Sequence, residues 1–433
     1  MSKGWRNNLI LAVILAIAGG GLWYVESREA EKEATEKQSR AISSIQADAV
    51  TSLEFRDNAG ETLTLAKENN AWRITAPARL RTSNEGVQGL LEILSKTYEK
   101  KIADTITDAA AFGLNAPAVR LMVKGEQNAE RLILVGGTPP AATRKHYLAL
   151  GEKGPVVLIG DQELTKLLQK SDTLRDKHLA STQAVDLSAI TVKKRSGGEI
   201  RVVKSAEDRW DLKAPLEDRA DDNRMRAWSF ALTSSSGTLF RKAPTSGEPD
   251  WIIELTPAQG EVERIPVYKT GEEFLALRPD EPDALVLPRY VAEELDKNPL
   301  DLVAMRPVAS KSEIERLHLE SGDKKVSAER QEGKWPKPEW GNIEEMLTRD
   351  AHRGAALRQG APWLTITLGE GEKAKRYLMH KDEKTSWITP PGRPVALELT
   401  PLQAENLGKA IEALLTPPTV APSQTAASPS PTR

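Results

Sequence analysis

The sequence predicts an α+β fold of mainly antiparallel strands, written three times behind an N-terminal membrane segment. Two observations carry this expectation. The stretch "NNAWRITAPARLRTSNEGVQGLLEIL" (69–94) recurs without a gap as "EDRWDLKAPLEDRADDNRMRAWSFAL" (207–232). The alignment pairs Trp72 with Trp210, Ala76-Pro77 with Ala214-Pro215, Arg81 with Arg219, Asn84 with Asp222, and Leu94 with Leu232. Upstream of each Trp, apolar and polar residues alternate on both sides of a Gly-containing turn, which is the period-two signature of a hairpin.

Taken in order, the chain opens with Lys3 and Arg6 before Leu9 to Val25, a run without charge. At about 1.5 Å per residue this is near the shortest helix that spans a bilayer. Trp5 and Trp23-Tyr24 would lie at its two interfaces, and the preceding basic residues place the N-terminus in the cytoplasm. Ala16-Ile17-Ala18 has the small-x-small form of a signal-peptidase site, but the apolar run continues past it through Val25, so an uncleaved anchor is expected. Residues 1–25 are thus read as cytoplasmic N-terminus and anchor. Residues 26–47 are read as a polar helical stalk, with Glu29 facing Lys32, Glu33 facing Lys37 and Glu36 facing Arg40 at helical spacing.

The first module begins with Val50, Leu53 and Phe55, turns at Asn58-Ala59-Gly60, and continues through Leu63 and Leu65 to the Trp72 strand. Pro77 ends that strand because proline donates nothing to a ladder. Thr82-Ser83-Asn84 then supply a helix N-cap. The second module repeats this with Leu187, Ile190, Val192, the turn Ser196-Gly197-Gly198, Ile200, Val202, and the cap segment Ala220-Asp221-Asp222, in which Asp222 is given the capping role. A worn third copy starts at Ile314, Leu317 and Leu319, turns at Ser321-Gly322-Asp323, and reaches Trp335-Pro336, with a weaker helix around Ile343, Met346 and Leu347. Each second half reads as two strands about a polar turn, two further strands and a closing helix. The expected modules are 48–180, 185–308 and 311–416, the last divergent. Trp72, Trp210 and Trp335 are read as core anchors. From Pro417 to Arg433 the Pro, Ser, Thr and Ala composition cannot bury a core and reads as a disordered tail.

Composition narrows the function classes. A chain of 433 residues that is 39% hydrophobic and 28% charged can build several domains. Sixty basic against 62 acidic residues gives a net charge of -2, so no global field would draw it to nucleic acid. The absence of Cys removes disulfides, thiolate nucleophiles and Cys-based zinc sites together.

No catalytic, cofactor-binding or metal-binding residue is assigned, and no cofactor is expected. The sequence contains no G-x-x-x-x-G-K-[ST], no G-x-G-x-x-G opening a helix after a strand, and no G-x-S-x-G, since Ser234-Ser235-Ser236-Gly237 lacks the first glycine. His146, His178, His318, His352 and His380 are scattered, with no pair at helical ligand spacing. Ser321-Gly322-Asp323-Lys324 matches S-x-x-K but falls where a hairpin turn needs those residue types. Asp218, Asp221 and Asp222 lack the glycine and distal glutamate of a calcium loop. Glu344-Glu345 are adjacent on a helix and point apart. Arg79, Arg81 and Arg219 follow the prolines, where a solvated loop is favoured over a basic, ligand-facing rim. Trp340, Trp363 and Trp387, if exposed, could stack on a glycan or a partner, although each also fits a packing role in a strand or turn.

Several of these features together carry a resemblance: the anchor, the Trp strand ended by Pro, the Asp- or Asn-capped helix, "AFGLNAP" (111–117), "LILVGG" (132–137), "HYL" (146–148) and "DTLRDKHL" (172–179). In these the chain resembles the bacterial family called domain of unknown function 4340, over most of the first two modules. The third module lacks a Phe-Gly-Leu-x-x-Pro counterpart. The resemblance implies a membrane-anchored extracytoplasmic companion of ABC transport systems of the gliding-motility type, and it brings no catalytic residues with it. The expectation is a non-enzymatic inner-membrane protein with its bulk in the periplasm, acting as an accessory or scaffold for protein partners such as a transporter permease. The alternatives are an envelope module that binds a glycan or small solute in a cleft between modules, and an envelope hydrolase, for which the sequence offers no nucleophile, metal cluster or carboxylate pair at usable spacing.

Overall fold

The structure, a computed structural model, describes residues 40–168 and 171–416. The expected anchor, the stalk up to residue 39 and the tail from Pro417 lie outside the described residues. Among the described residues no helix is long and apolar enough to cross a membrane.

Three antiparallel sheets account for the strands. The first comprises β1 (Val50–Asp57), β2 (Thr62–Glu68), β3 (Ala71–Ala76), β4 (Leu80–Arg81), β5 (Lys100–Ala103), β6 (Val119–Gly125), β7 (Glu130–Val135), β8 (Lys145–Ala149) and β9 (Val156–Gly160), with α1 (Asn84–Ser95) before β5, and α2 (Asp161–Leu167) and α3 (Ser171–Leu174) after β9. Its strand order is β4-β3-β2-β1-β6-β7-β8-β9-β5. The second comprises β10 (Leu187–Lys194), β11 (Glu199–Lys204), β12 (Trp210–Ala214), β13 (Asp218–Arg219), β14 (Phe240–Lys242), β15 (Trp251–Pro257), β16 (Glu263–Thr270), β17 (Glu273–Ala276) and β18 (Asp283–Leu287), with α4 (Asp222–Thr233) before β14 and α5 (Arg289–Leu295) at the end. Its order, β13-β12-β11-β10-β15-β16-β17-β18-β14, repeats the first strand for strand. The third comprises β19 (Arg316–Ser321), β20 (Lys324–Glu329), β21 (Arg353–Ala356), β22 (Leu364–Leu368), β23 (Lys375–Lys381), β24 (Ser386–Thr389) and β25 (Val395–Glu398), with α6 (Pro338–Thr348) before β21 and α7 (Pro401–Leu415) at the end. Its order is β20-β19-β22-β23-β24-β25-β21, the same plan without the two strands at one edge.

Register explains the packing. Leu65 pairs with both Ile74 and Leu53, and Leu53 pairs with Val123, so one apolar row crosses four strands. Helix α1 presents Val87, Leu90, Leu91 and Leu94 to that face at the i, i+3, i+4, i+7 spacing of a single helical stripe, and all are buried. Trp72 packs against the edge of this core, and Trp210 is buried at the corresponding place in the second sheet. Strands β3 and β12 end at Ala76 and Ala214, immediately before the prolines, as the ladder argument requires.

By its contacts the chain divides into two units. The first is Met1–Lys177 with the short segments Leu239–Ala243 and Asp280–Ala284; the second is His178–Thr238, Pro244–Pro279 and Leu285–Arg433.

Four readings of the sequence are corrected. Residues 40–47, assigned to the polar stalk, are not a solvated helix: Ile42 is 1% exposed, and Ile42 N and Ser43 N donate to Lys96 O and Leu94 O. The cap of α4 is Asp221, whose Oδ1 accepts from Asn223 N and Arg224 N at 3.0 Å each, and Asp222 is the first helical residue. Trp335 lies in no strand: after β20 only the isolated bridge between Gln331 and Lys334 forms, so the third sheet lacks a Trp strand. The third sheet instead uses Trp335 as a lid on α6, stacked 6.3 Å from Trp340 and donating to Glu344 Oε2 at 2.7 Å. Finally, each sheet gains an edge strand directly after its helix (β5, β14, β21) that alternation did not reveal, because these segments are three or four residues long.

Candidate functional site

The two-residue strands after the prolines are where chemistry-bearing side chains collect. In the second unit, β13 is held by Ala304 N donating to Arg219 O at 2.8 Å and Asp221 N donating to Leu302 O at 2.8 Å. This brings Arg219, Asp221, Asp222 and Asn223 beside the segment 304–309 that leaves α5. Glu313, Asp350, Lys375, Tyr377 and Arg393, all from the third repeat, form the facing wall of a cleft of about 390 Å³.

Its charges are arranged in pairs. Arg393 grips Asp218 with two parallel bonds, Nε to Oδ1 at 2.8 Å and Nη2 to Oδ2 at 2.7 Å, and Nη2 also donates to Ala304 O at 2.8 Å. The Asp218 carboxylate is 3% exposed, and a bidentate guanidinium is the partner that satisfies both of its oxygens at once. Arg306 pairs with Asp350 at 3.0 Å and Lys375 with Glu313 at 3.1 Å, both well exposed, while Arg219 and Asp222 stand 3.9 Å apart. The buried Tyr377 phenol is pushed up to about 12, chiefly by burial and secondarily by the Glu313 carboxylate, with Arg393 pulling the other way. It is therefore a protonated hydrogen-bond donor across the physiological range. A wall of alternating, mutually paired charges suits a small dipolar solute that exchanges one pair for its own charges.

The candidates raised by the sequence are distributed as follows. Of the acidic cluster, Asp218 holds Arg393, Asp221 caps α4, and Asp222 lines the cleft with Arg219. Arg79 pairs with Glu68 at 2.8 Å in solvent. The corner containing Arg81 is closed within the first unit: Arg81 N donates to Glu281 Oε1 at 2.7 Å, and the buried Arg175 bonds Asp283 at 2.8 Å and Glu281 at 3.3 Å while lying over the Phe240 ring. Ser321 and Lys324 are register partners across the β19–β20 turn, and Ser321 Oγ donates to Trp363 O at 2.8 Å, so S-x-x-K is a turn here. Glu344 is buried with Arg330 and Trp335, whereas Glu345 pairs with Arg349 outside. His146 meets Asp161 at 2.8 Å, His318 stands 3.6 Å from Glu370, and His380 faces Gly360 O at 3.2 Å. Among the described residues no three His, Cys, Asp or Glu side chains gather as a metal site. Trp340 and Trp387 prove buried rather than exposed, and Trp363 is half-buried.

Arg393, Tyr377, Lys375 and Asp350 escaped sequence reading. Arg393 meets Asp218 across 175 residues of chain, and no local pattern announces a pairing of that separation.

Fold and corner together define a class: a chain of repeated antiparallel α+β sheets, the first two of which turn at a proline into a helix capped by Ser83 or Asp221. Residues 72–245 match the family model described as Domain of unknown function (DUF4340), the family this chain resembles. The match runs from the Trp72 strand to just beyond β14 and so includes the Phe-Gly-Leu motif and both proline corners. No curated protein and no solved structure matches the chain.

Proposed function

We propose that this is a non-catalytic, membrane-anchored accessory or scaffold protein of the bacterial envelope, its bulk periplasmic, serving an ABC-type transport system. The observation that carries the reading is the repetition: one strand order occurs twice in full and a third time without two edge strands, while the corners and faces of the copies carry unlike side chains. Such a chain offers partners several different surfaces on one backbone. The uncharged run 9–25 behind Lys3 and Arg6 supports anchoring and orientation, and the family resemblance supports the transporter association. The experiment is crosslinking in intact cells, then purification of the full-length chain beside a form lacking residues 1–40, with co-purifying proteins identified by mass spectrometry. Enrichment of a permease and its ATPase by the anchored form is expected. Recovery of a solitary chain in both forms overturns the reading.

The paired-charge cleft of the second unit favours a second reading, a module for a small dipolar solute. In that case the form lacking residues 1–40 binds cell-wall peptide fragments in calorimetry without any membrane partner, and Arg306→Ala weakens that binding.

A further inference from the structure

The third sheet carries a row of side chains that its own packing leaves unfinished. Leu364 pairs with Met379, and Trp363 N donates to Met379 O at 3.0 Å, so Trp363 flanks His380. His380 pairs with Trp387, and Trp387 with Glu398. Directly opposed residues share a face, and this face is the reverse of the one on which Leu364, Ile366, Met379 and Ile388 are buried. Two indoles therefore bracket one imidazole across three strands, with their Cα atoms about 10 Å apart at two strand spacings. Thr389, two residues beyond Trp387 on β24, lies on the same face.

Loop 357–362 covers this row. His380 Nε2 lies 3.2 Å from Gly360 O, and the Arg358 guanidinium sits 3.7 Å from the centre of the Trp387 ring, while Lys381 lies over Trp363 at 4.4 Å. Along this row four polar atoms are shut off from solvent and find no partner in the protein: Trp363 Nε1, Trp387 Nε1, His380 Nδ1 and Thr389 Oγ1. Trp387 is 5% exposed and His380 9%. Buried polar atoms without partners carry their full desolvation penalty, and four such atoms on one face call for a ligand that answers all of them.

The first sheet shows what a finished version of this face looks like. Ala118 N donates to Val135 O as Trp363 N does to Met379 O, and Gly136 N to Tyr147 O, so Ala118, Gly136 and Tyr147 occupy the row. There the Phe112-Gly113-Leu114 turn fills the space and leaves an apolar cluster.

We propose that the Trp363–His380–Trp387 row is a saccharide-binding subsite covered by loop 357–362. A pyranose presents an apolar C–H face to an indole and, at its rim, hydroxyls that both donate and accept. A purely apolar ligand would leave the four polar atoms unmet, and a carboxylate or phosphate would engage Arg358 and Lys381 but offers nothing to the flat rings. The Arg358 guanidinium is an exposed cation–π partner, a weak contact that a stacked sugar ring displaces. The row shares no residue with the cleft of the second unit.

The test is calorimetric titration of the full-length chain with chitotriose and with maltotriose, comparing wild type with Trp363→Phe, Trp387→Phe, Arg358→Ala and the cleft variant Arg306→Ala. The Trp→Phe changes keep a ring and remove the donor. At least one trisaccharide binds the wild type; each Trp→Phe weakens that binding about tenfold; Arg358→Ala tightens it, and Arg306→Ala leaves it unchanged. The proposal is overturned if neither trisaccharide binds wild type or Arg358→Ala, if Trp363→Phe binds as wild type does, or if Arg306→Ala abolishes binding. Should Trp387→Phe fail to fold, the half-buried Trp363 and the exposed Arg358 decide the matter without it.

Discussion

The outer faces of the first and third sheets are built on the seven strands the two orders share and end differently. In the first, Gly113 takes a left-handed conformation (φ +66°) that carries Phe112 across β7 and β8. Gly137 N donates to Phe112 O at 2.8 Å, Phe112 meets Tyr147 edge-on, and Leu114 joins Leu134, Ala149 and Val156 in a closed apolar cluster. In the third, the turn is missing and loop 357–362 spans Trp363, His380 and Trp387 with their polar edges unanswered. A shared topology thus fixes where a face lies without fixing what closes it. The Phe-Gly-Leu turn is a piece of packing in the first copy, and the third copy lacks it.

The contrast breaks most readily at Gly136, where any Cβ would stand 2.4 Å from Phe112 O. Gly136→Val should cost about 3 kcal/mol or more, because backbone has to move to admit it. Hydrogen exchange across 106–137 in the full chain checks this, and His380→Ala at the matching position of the third sheet should cost about 1 kcal/mol or less in its own peptides. Equal losses at the two sites would erase the distinction between a filled and an unfilled face.

The proline corners extend the comparison. Removing one partner of the Asp218–Arg393 pair strands a buried charge, so Asp218→Ala should lower protection at 214–222 and 390–398 by about 3 kcal/mol. The double change Asp218→Leu with Arg393→Leu should recover most of that loss, since both charges leave together. The exposed Arg79–Glu68 pair should move stability by no more than about 0.5 kcal/mol when Arg79 becomes Ala.

Strand β23 sharpens the contrast between the two faces of the third sheet, because it turns Tyr377 to the core and His380 to the covered face. A phenol whose value is raised to about 12 in the folded chain keeps its proton there longer than in the unfolded chain. Its contribution is therefore complete below pH 10 and is lost as pH rises from about 10 to 12, on the order of 2 kcal/mol in all. Tyr377→Phe should flatten that part of a urea-stability profile against pH, and an unchanged slope would place the phenol in solvent. A modest effect is expected at the helix start. Asp221→Ala should cost α4 about 1 kcal/mol, while Asp222→Ala should stay within about 0.5 kcal/mol, as read by exchange of the first-turn amides of α4.

Much of the fold is legible in the residues. The alternation Val50, Leu53, Phe55 and its copies mark the central strands, the prolines mark strand ends, and Val87, Leu90, Leu91 and Leu94 mark a one-sided helix, because each of these is a local period or a local prohibition. The edge strands β5, β14 and β21 are not legible, since three or four residues carry too little period. Nor was the choice of Asp221 over Asp222 as cap, because both are good capping residues and they stand side by side at the start of the helix. The cleft was visible from one side only: Arg219 was marked by its place after Pro215, while Arg393 and Tyr377 carry no mark at all.

By itself the sequence determined that one antiparallel unit recurs along the chain, that the first two Trp strands stop at a proline, and that an uncharged run precedes the repeats. These follow from backbone propensity and hydrophobic period, which act over a few residues. The tertiary structure alone decided that the third copy drops its Trp strand, that Asp218 is neutralised by Arg393, and that Trp363, His380 and Trp387 form one row. Those outcomes depend on register between strands and on charges desolvated together, and both are properties of the folded neighbourhood rather than of any segment.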